Sequence, residues 1–179
     1  MLEAAKAIHD QLIAWRRDIH AHPEILYETH RTSALVAEKL KAFGCDEVVE
    51  GIGRSGVVGV IEGQEVAAHG AQGPRVIGLR ADMDALPIVE QTGLEHASSE
   101  PGKMHACGHD GHTSMLLGAA KYLCETRAFA GRAVVIFQPA EEGGAGARAM
   151  IEDGMMERFA IDEVYGLHNM PGMEAGHLG

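Results

Sequence analysis

Apolar residues recur at spacings of three and four through Ala5, Ile8, Leu12, Trp15 and Ile19, the period of one face of a helix. Asp10 and the pair Arg16-Arg17 fall on the polar side of that face, and Pro23 ends the segment. A second helix is predicted from Thr29 or Thr32 to about Phe43, with Gly44 as its C-cap. The pattern then shortens. Val48-Val49 and Gly56-Val57-Val58-Gly59-Val60-Ile61 read as strands, residues 62–73 as a hairpin or exposed loop, and Arg75-Val76-Ile77-Gly78-Leu79-Arg80 as a buried strand. Helical spacing returns from Gly111 to Arg127 through Met115, Leu116, Ala119, Ala120 and Leu123. Ala133-Val134-Val135-Ile136-Phe137 is a continuous apolar run of strand length, as expected where both faces of a strand are covered. A short helix over Gly146 to Ile151 and a last strand over Glu163 to Leu167 complete the series.

Strands alternating with helices predict an α/β fold, a largely parallel or mixed sheet flanked by helices. The polar clusters follow directly after strands: Asp82 and Asp84, Glu141 and Glu142, and His168. In open α/β sheets the crevice at the carboxyl ends of the strands is where ligands bind. Segments distant in sequence are therefore expected to converge near Cys107 and His109.

Composition narrows the partners. The 179 residues fit one domain with a real core, and a net charge of −11 argues against nucleic acid or anionic membrane. No apolar run approaches the ~18 residues of a membrane span. The first residues show no signal-peptide pattern, and three widely spaced cysteines suggest no disulfide framework, so a reducing, cytoplasmic setting is expected. Eleven histidines are many for this length, and about half lie near three short motifs.

Met104-His105-Ala106-Cys107-Gly108-His109-Asp110-Gly111-His112 is the densest of these. Sulfur, nitrogen and oxygen donors this close suit a transition metal, while the absence of a Cys-x-x-Cys pair excludes a structural zinc module. In an extended segment Cys107 and His109 would point the same way. The bland alternative is a buried cysteine beside a helix cap. His112, in the first helical turn, suits a supporting role as well as a ligand role. Glu141 and Glu142 follow the buried strand and precede two glycines, so one carboxylate can ligate while the other serves as general base; the competing reading is a solvated acidic turn. Asp82-Met83-Asp84 follows the same logic: Asp84 could fix a ligand histidine's tautomer, and for Asp82 an Asp-rich turn before Pro87 is the competing reading. His168-Asn169 ends the last strand as a further ligand candidate. His20 and His22, at a helix end, are expected to cap its carbonyls rather than bind metal. Gly51 to Gly56 precedes a strand, so no nucleotide loop is read there.

Taken in order, Arg16-Arg17-x-x-His20-x-x-Pro23-Glu24, Gly56-Val57-Val58-Gly59, Leu79-Arg80-Ala81-Asp82-Met83-Asp84-Ala85-Leu86-Pro87, His105 to His112, Phe137-Gln138-Pro139-Ala140-Glu141-Glu142-Gly143 and Gly166-Leu167-His168-Asn169-Met170-Pro171 resemble the motifs of the M20 metallopeptidase family. The nearest branch is the amidohydrolases, such as hippurate and N-acyl-amino-acid hydrolases. The resemblance implies a zinc-peptidase-like catalytic domain with two divalent metal ions held by Cys107, His109, Glu142 and His168. Cys107 would bridge them, Glu141 would be the general base, and Asp84 and His112 would support the ligands. The implied substrate is a small N-acyl amino acid and the implied parent a homo-oligomer. Mixed donors admit zinc, manganese, cobalt or nickel. Family members are roughly twice as long, with a lid and dimerisation domain after the His168 motif and a later histidine ligand. Residues 1–179 are thus expected to be the N-terminal part of a truncated catalytic domain, inactive alone, with His177 no substitute for the missing ligand. Two other readings stay open: a hydrolase using Cys107 as nucleophile, and a metal-binding fragment with no catalytic base.

Overall fold

The computed structural model describes residues 2–66, 74–174 and 176–177. The chain runs α1 (Leu2–Ala7), α2 (His9–Ala21), α3 (His30–Phe43), β1 (Glu47–Ile52), β2 (Gly56–Glu62), β3 (Val76–Asp82), α4 (His109–Thr126), β4 (Arg132–Gln138), α5 (Gly146–Glu152), α6 (Met155–Phe159) and β5 (Glu163–Gly166). The sheet order is β1-β2-β4-β3-β5. β1 and β2 form an antiparallel hairpin and β2 runs antiparallel to β4, while β3 lies parallel to both β4 and β5. The sheet is mixed, as the α/β reading allowed.

Alternation along the central strands explains the three layers. Val57 and Ile61 on β2, with Val135 and Phe137 on β4, pack with Val36, Leu40 and Leu117 of α3 and α4. Val58, Val60, Val134 and Ile136 point the other way and pack with Met150, Met155 and Phe159 of α5 and α6. Successive side chains of a strand face opposite sides of the sheet, so a strand covered twice needs an unbroken apolar run. The run at residues 133–137 is such a strand.

Three expectations are corrected. The helix predicted through Ala5 and Ile19 is two helices, broken at Ile8, whose φ of −107° and ψ of 8° leave the helical region. The apolar spacing survives the break because a side chain added at Gly118 of α4 would meet both Leu12 and Ile8, at 2.7 and 3.5 Å; packing preserved the period while the backbone turned. Helix α4 begins at His109 rather than Gly111. Cys107 and His109 therefore do not share an extended segment: Gly108 between them has φ 97°, and only after it does the helix start. Of the loop predicted over 62–73, residues 67–73 lie outside the described residues; before them, the N–H groups of Gly63, Gln64 and Glu65 donate to the carbonyls of Gly131, Arg127 and Phe129.

Because β3, β4 and β5 are parallel, their carboxyl ends lie along one edge of the sheet. Asp82, Gln138 and Gly166 mark that edge, and α4 starts beside it with His109.

Candidate metal centre

The edge is built by interlocking turns. Asp84 follows β3 and is almost fully buried. Its carboxylate accepts the backbone N–H of Glu141 at 2.9 Å and of Glu142 at 3.1 Å. Its main-chain carbonyl accepts a hydrogen bond from His109 Nδ1 at 2.8 Å. The orientation of His109 is thus fixed by the Asp84 carbonyl, with the Asp84 carboxylate oxygen more distant at 3.6 Å. The Asp84 carboxylate itself is engaged by the Glu141–Glu142 turn. This turn leaves β4 through Ala140, whose φ of 52° is uncommon for a residue with a side chain. Ala140 donates to the Leu26 carbonyl at 3.1 Å, and Tyr27 Oη donates to the Gly144 carbonyl at 2.6 Å. Glu24 accepts the N–H groups of Arg31 and Thr32 at the start of α3. The Pro23-Glu24 motif therefore belongs to the scaffold that holds the acidic turn.

With Nδ1 committed, His109 Nε2 faces the other donors. It is buried and, among the described residues, has no hydrogen-bond partner. Asp82 Oδ2 lies 3.6 Å from it, Glu142 Oε1 3.8 Å and Glu141 Oε2 3.9 Å. These contacts are too long for hydrogen bonds. Cys107 Sγ and His168 Nε2 are 3.4 Å apart. Among the described residues, metal-type donors fall into three overlapping groups, each within 4.8 Å: Cys107, His109 and His168; Asp82, His109 and His112; and His109, Glu141 and Glu142. His109 belongs to all three.

Asp82, for which the sequence left a turn as the competing reading, is a buried part of this centre. It accepts from His112 Nδ1 at 2.7 Å and from Arg80 at 2.8 Å. His112 Nε2 faces Asn169, 3.1 Å from its N–H and 2.6 Å from its side-chain oxygen. Gly108 is needed here: besides its positive φ, a side chain there would stand 2.3 Å from the Asn169 amide. Neither Asp82 nor Asn169 carries a local sequence signal for these contacts, since the partner residue is 30 or 57 positions away. His177 lies elsewhere, beside the exposed Glu174. His22 Nδ1 donates to the Asp18 carbonyl and caps its helix as expected. His20 does not: it turns inward to Asp110 at 2.8 Å and Glu90 at 3.2 Å, because buried carboxylates offer stronger acceptors than exposed carbonyls.

Charge shapes the titration of these groups. Burial would lower the His109 pKa, but the Asp84 carboxylate and then Asp82 outweigh it and hold it above the usual histidine value. Burial would raise Asp82, yet His112, His109 and Arg80 hold it below the usual carboxylate range. Burial and the Glu142 carboxylate push the Cys107 thiol up to about 11. Asp82, Asp84, Glu141 and Glu142 outnumber the single guanidinium of Arg80 here, and His109 Nε2 stands among carboxylate oxygens without a hydrogen bond to any of them. The donor set fits divalent cations.

The model of peptidase family M20/M25/M40 matches residues 78–179, more than half of the chain. The chain belongs to this family. An M20 relative named hippurate hydrolase, from Campylobacter jejuni, is 53% identical over 156 residues, 87% of this chain and 38% of that protein. The N-acetyl-L-cysteine deacetylase of Bacillus subtilis is 45% identical over 173 residues, 96% of this chain and 39% of the relative. Among solved M20 structures, the Bacillus subtilis YXEP protein, described as a dinuclear metal binding peptidase, superimposes with a TM-score of 0.85 at 40% identity, over 96% of this chain and 46% of that one. The chain therefore spans about two fifths of the length of these relatives. Among the described residues no helix is long and apolar enough to cross a membrane.

Proposed function

We propose that this M20 chain carries the metal centre of an amidohydrolase that cleaves the amide bond of small N-acyl amino acids of the hippurate type. The observation that carries the reading is His109 Nε2: buried, unpartnered, and facing Asp82, Glu141 and Glu142 at 3.6 to 3.9 Å. Cys107, His109, Glu142 and His168 would hold two divalent ions. Bound there, the ions would supply Lewis-acid polarisation of the substrate carbonyl and of the attacking water. Zinc, manganese, cobalt and nickel all suit the donors.

Glu141 is the proposed general base. Its side chain is 41% exposed while its N–H is pinned by Asp84, so the carboxylate reaches into the crevice from a fixed backbone. It takes the proton as water oxygen bonds to the carbonyl carbon, and returns it to the nitrogen as the C–N bond breaks. Asp82 and Asn169 hold the His112 ring, and Asp84 sets the spacing between His109 and the two glutamates. What supports Cys107 as a ligand is its place in one donor group with His109 and His168, its sulfur 3.4 Å from His168 Nε2.

The relatives' greater length supports a further part of this proposal. A lid and dimerisation domain, and a last histidine ligand, would come from chain outside residues 1–179, in a homo-oligomeric cytoplasmic enzyme. Residues 1–179 alone would then bind metal weakly and turn over little. The test is metal content by elemental analysis, together with hydrolysis of hippurate and N-acetyl amino acids, on the full-length protein and on residues 1–179. Two equivalents of metal and chelator-sensitive hydrolysis are expected from the full-length protein. Undiminished hydrolysis after exhaustive chelation would overturn the reading.

A further inference from the structure

We propose that Cys45 and Cys124 form a reversible thiol oxidation site, closing into a disulfide at the end of α4 remote from the metal centre. The two sulfurs stand 3.6 Å apart although 79 residues separate them, and both are free thiols. Cys124 lies in the last turn of α4 and Cys45 between α3 and β1. The contact is built rather than incidental. Gly44 takes a left-handed φ of 86°, and the Cys45 N–H donates to the Leu40 carbonyl. Arg127, directly after α4, then donates to Asp46 at 2.7 Å, to the Gly44 carbonyl at 2.8 Å and to the Glu62 carbonyl at 3.0 Å. The segments bearing the two thiols are thus tied independently of the sulfurs. Reaching a bond of about 2.0 Å asks for a further ~1.5 Å, shared between a loop and a helix end. Cys107 does not compete: from His109 to Cys124 the helix runs about 22 Å.

The two sulfurs share one hydrogen bond in which either can donate. Either can therefore attack first while the other resolves, and the route that begins at Cys124 passes through a sulfenic acid. Cys124 is only 8% exposed, so a small oxidant such as a peroxide is the fitting reagent. The Cys124 sulfur attacks one peroxide oxygen: an S–O bond forms, the O–O bond breaks, and hydroxide leaves. The Cys45 sulfur then attacks Cys124: an S–S bond forms, the S–O bond breaks, and the Cys45 proton leaves with the hydroxyl as water. Two thiols and one peroxide give one disulfide and two waters. The sulfur atoms are oxidised and the peroxide oxygens reduced. The closed ring encloses β1, β2, β3 and α4 up to its last turn, and would stabilise the fold without altering the donors at the other end of the helix.

The experiment is a peptide map of the protein treated with hydrogen peroxide and then alkylated. Trypsin places each thiol in its own peptide: residues 42–54, 104–121 and 122–127. The expected product is peptide 42–54 linked to 122–127, released by reductant, with a rise in Tm on the order of 10 °C. Cys45→Ser should instead leave a sulfenic acid on Cys124 that a dimedone probe traps. Recovery of both peptides with separately alkylated thiols, or a link to peptide 104–121, would overturn the proposal. The wild-type map decides this even if a variant fails to fold.

Discussion

His109 and Asp110 are neighbours at the start of α4, yet they serve opposite kinds of cluster. On the Asp110 side the polar groups close upon one another through Asp110 Oδ2, although Asp110 Oδ1 has no partner among the described residues. Arg16 Nε meets Asp110 Oδ2 at 2.7 Å, His20 Nδ1 meets the same oxygen at 2.8 Å, and His20 Nε2 meets Glu90 at 3.2 Å. On the His109 side the same residue types converge without closing: Nε2 has no partner, and three carboxylates stand 3.6 to 3.9 Å away. Buried polar groups are normally paired, since an unmade hydrogen bond costs about 1–3 kcal/mol. A histidine–carboxylate cluster is therefore no sign of a metal site by itself. The sign is a set of donors aimed at one point with no proton to share.

Breaking the open side should produce the largest effects. Glu141→Gln in the full-length enzyme is expected to lower kcat by about 10²–10⁴-fold while metal content holds, because only the proton carrier is lost. A parallel loss of metal would place Glu141 among the ligands instead. Asp82→Asn should act differently. It removes the charge that His112 and Arg80 both face, so metal affinity should fall about 10–100-fold, with kcat following occupancy. Titration of the apoprotein with zinc measures this directly, and unchanged affinity would return Asp82 to a purely structural part.

How much of this contrast was legible in the sequence depends on range. The covered strand at residues 133–137 was readable because burial on both faces leaves an apolar run, and the 107–109 and 141–142 motifs because their donors are neighbours in the chain. Asp82 was left undecided and His20 misread because their partners, His112 and Asp110, are 30 and 90 residues away. Local pattern offered each a sufficient explanation, a turn and a helix cap. The break at Ile8 was hidden for the opposite reason: packing against α4 kept the period intact across it. The left-handed Ala140 and Leu26 gave no signal either, since nothing in either residue type favours that backbone.

Breaking the closed side should cost stability and leave the chemistry alone. Arg16→Met strands the buried Asp110 carboxylate beside His20, and a loss of about 2 kcal/mol is expected in urea unfolding. That is below the cost of breaking a wholly buried pair, because the Arg16 side chain is 39% exposed. Zinc affinity of the folded variant should change little, and a large drop would mean that the two clusters are coupled through the first turn of α4.

The smallest expected effect is one of pH, and it sharpens the contrast most. Burial would raise the Glu90 pKa, but Thr92, the Ser98 N–H and His20 together hold it at about 2. A carboxylate depressed on folding stabilises the native state above its unfolded value of 4.5, and that contribution disappears as pH falls toward about 2. Glu90→Gln should therefore melt below the wild type at pH 6. The gap should narrow from pH 4.5 downward and close near pH 2. Measured on apoprotein, with both proteins carrying the same His109 cluster, the difference isolates the closed side. A gap that does not change with pH would mean that Glu90 holds its loop by shape alone, and the Asp110 cluster would then lose one of its two carboxylate anchors for His20.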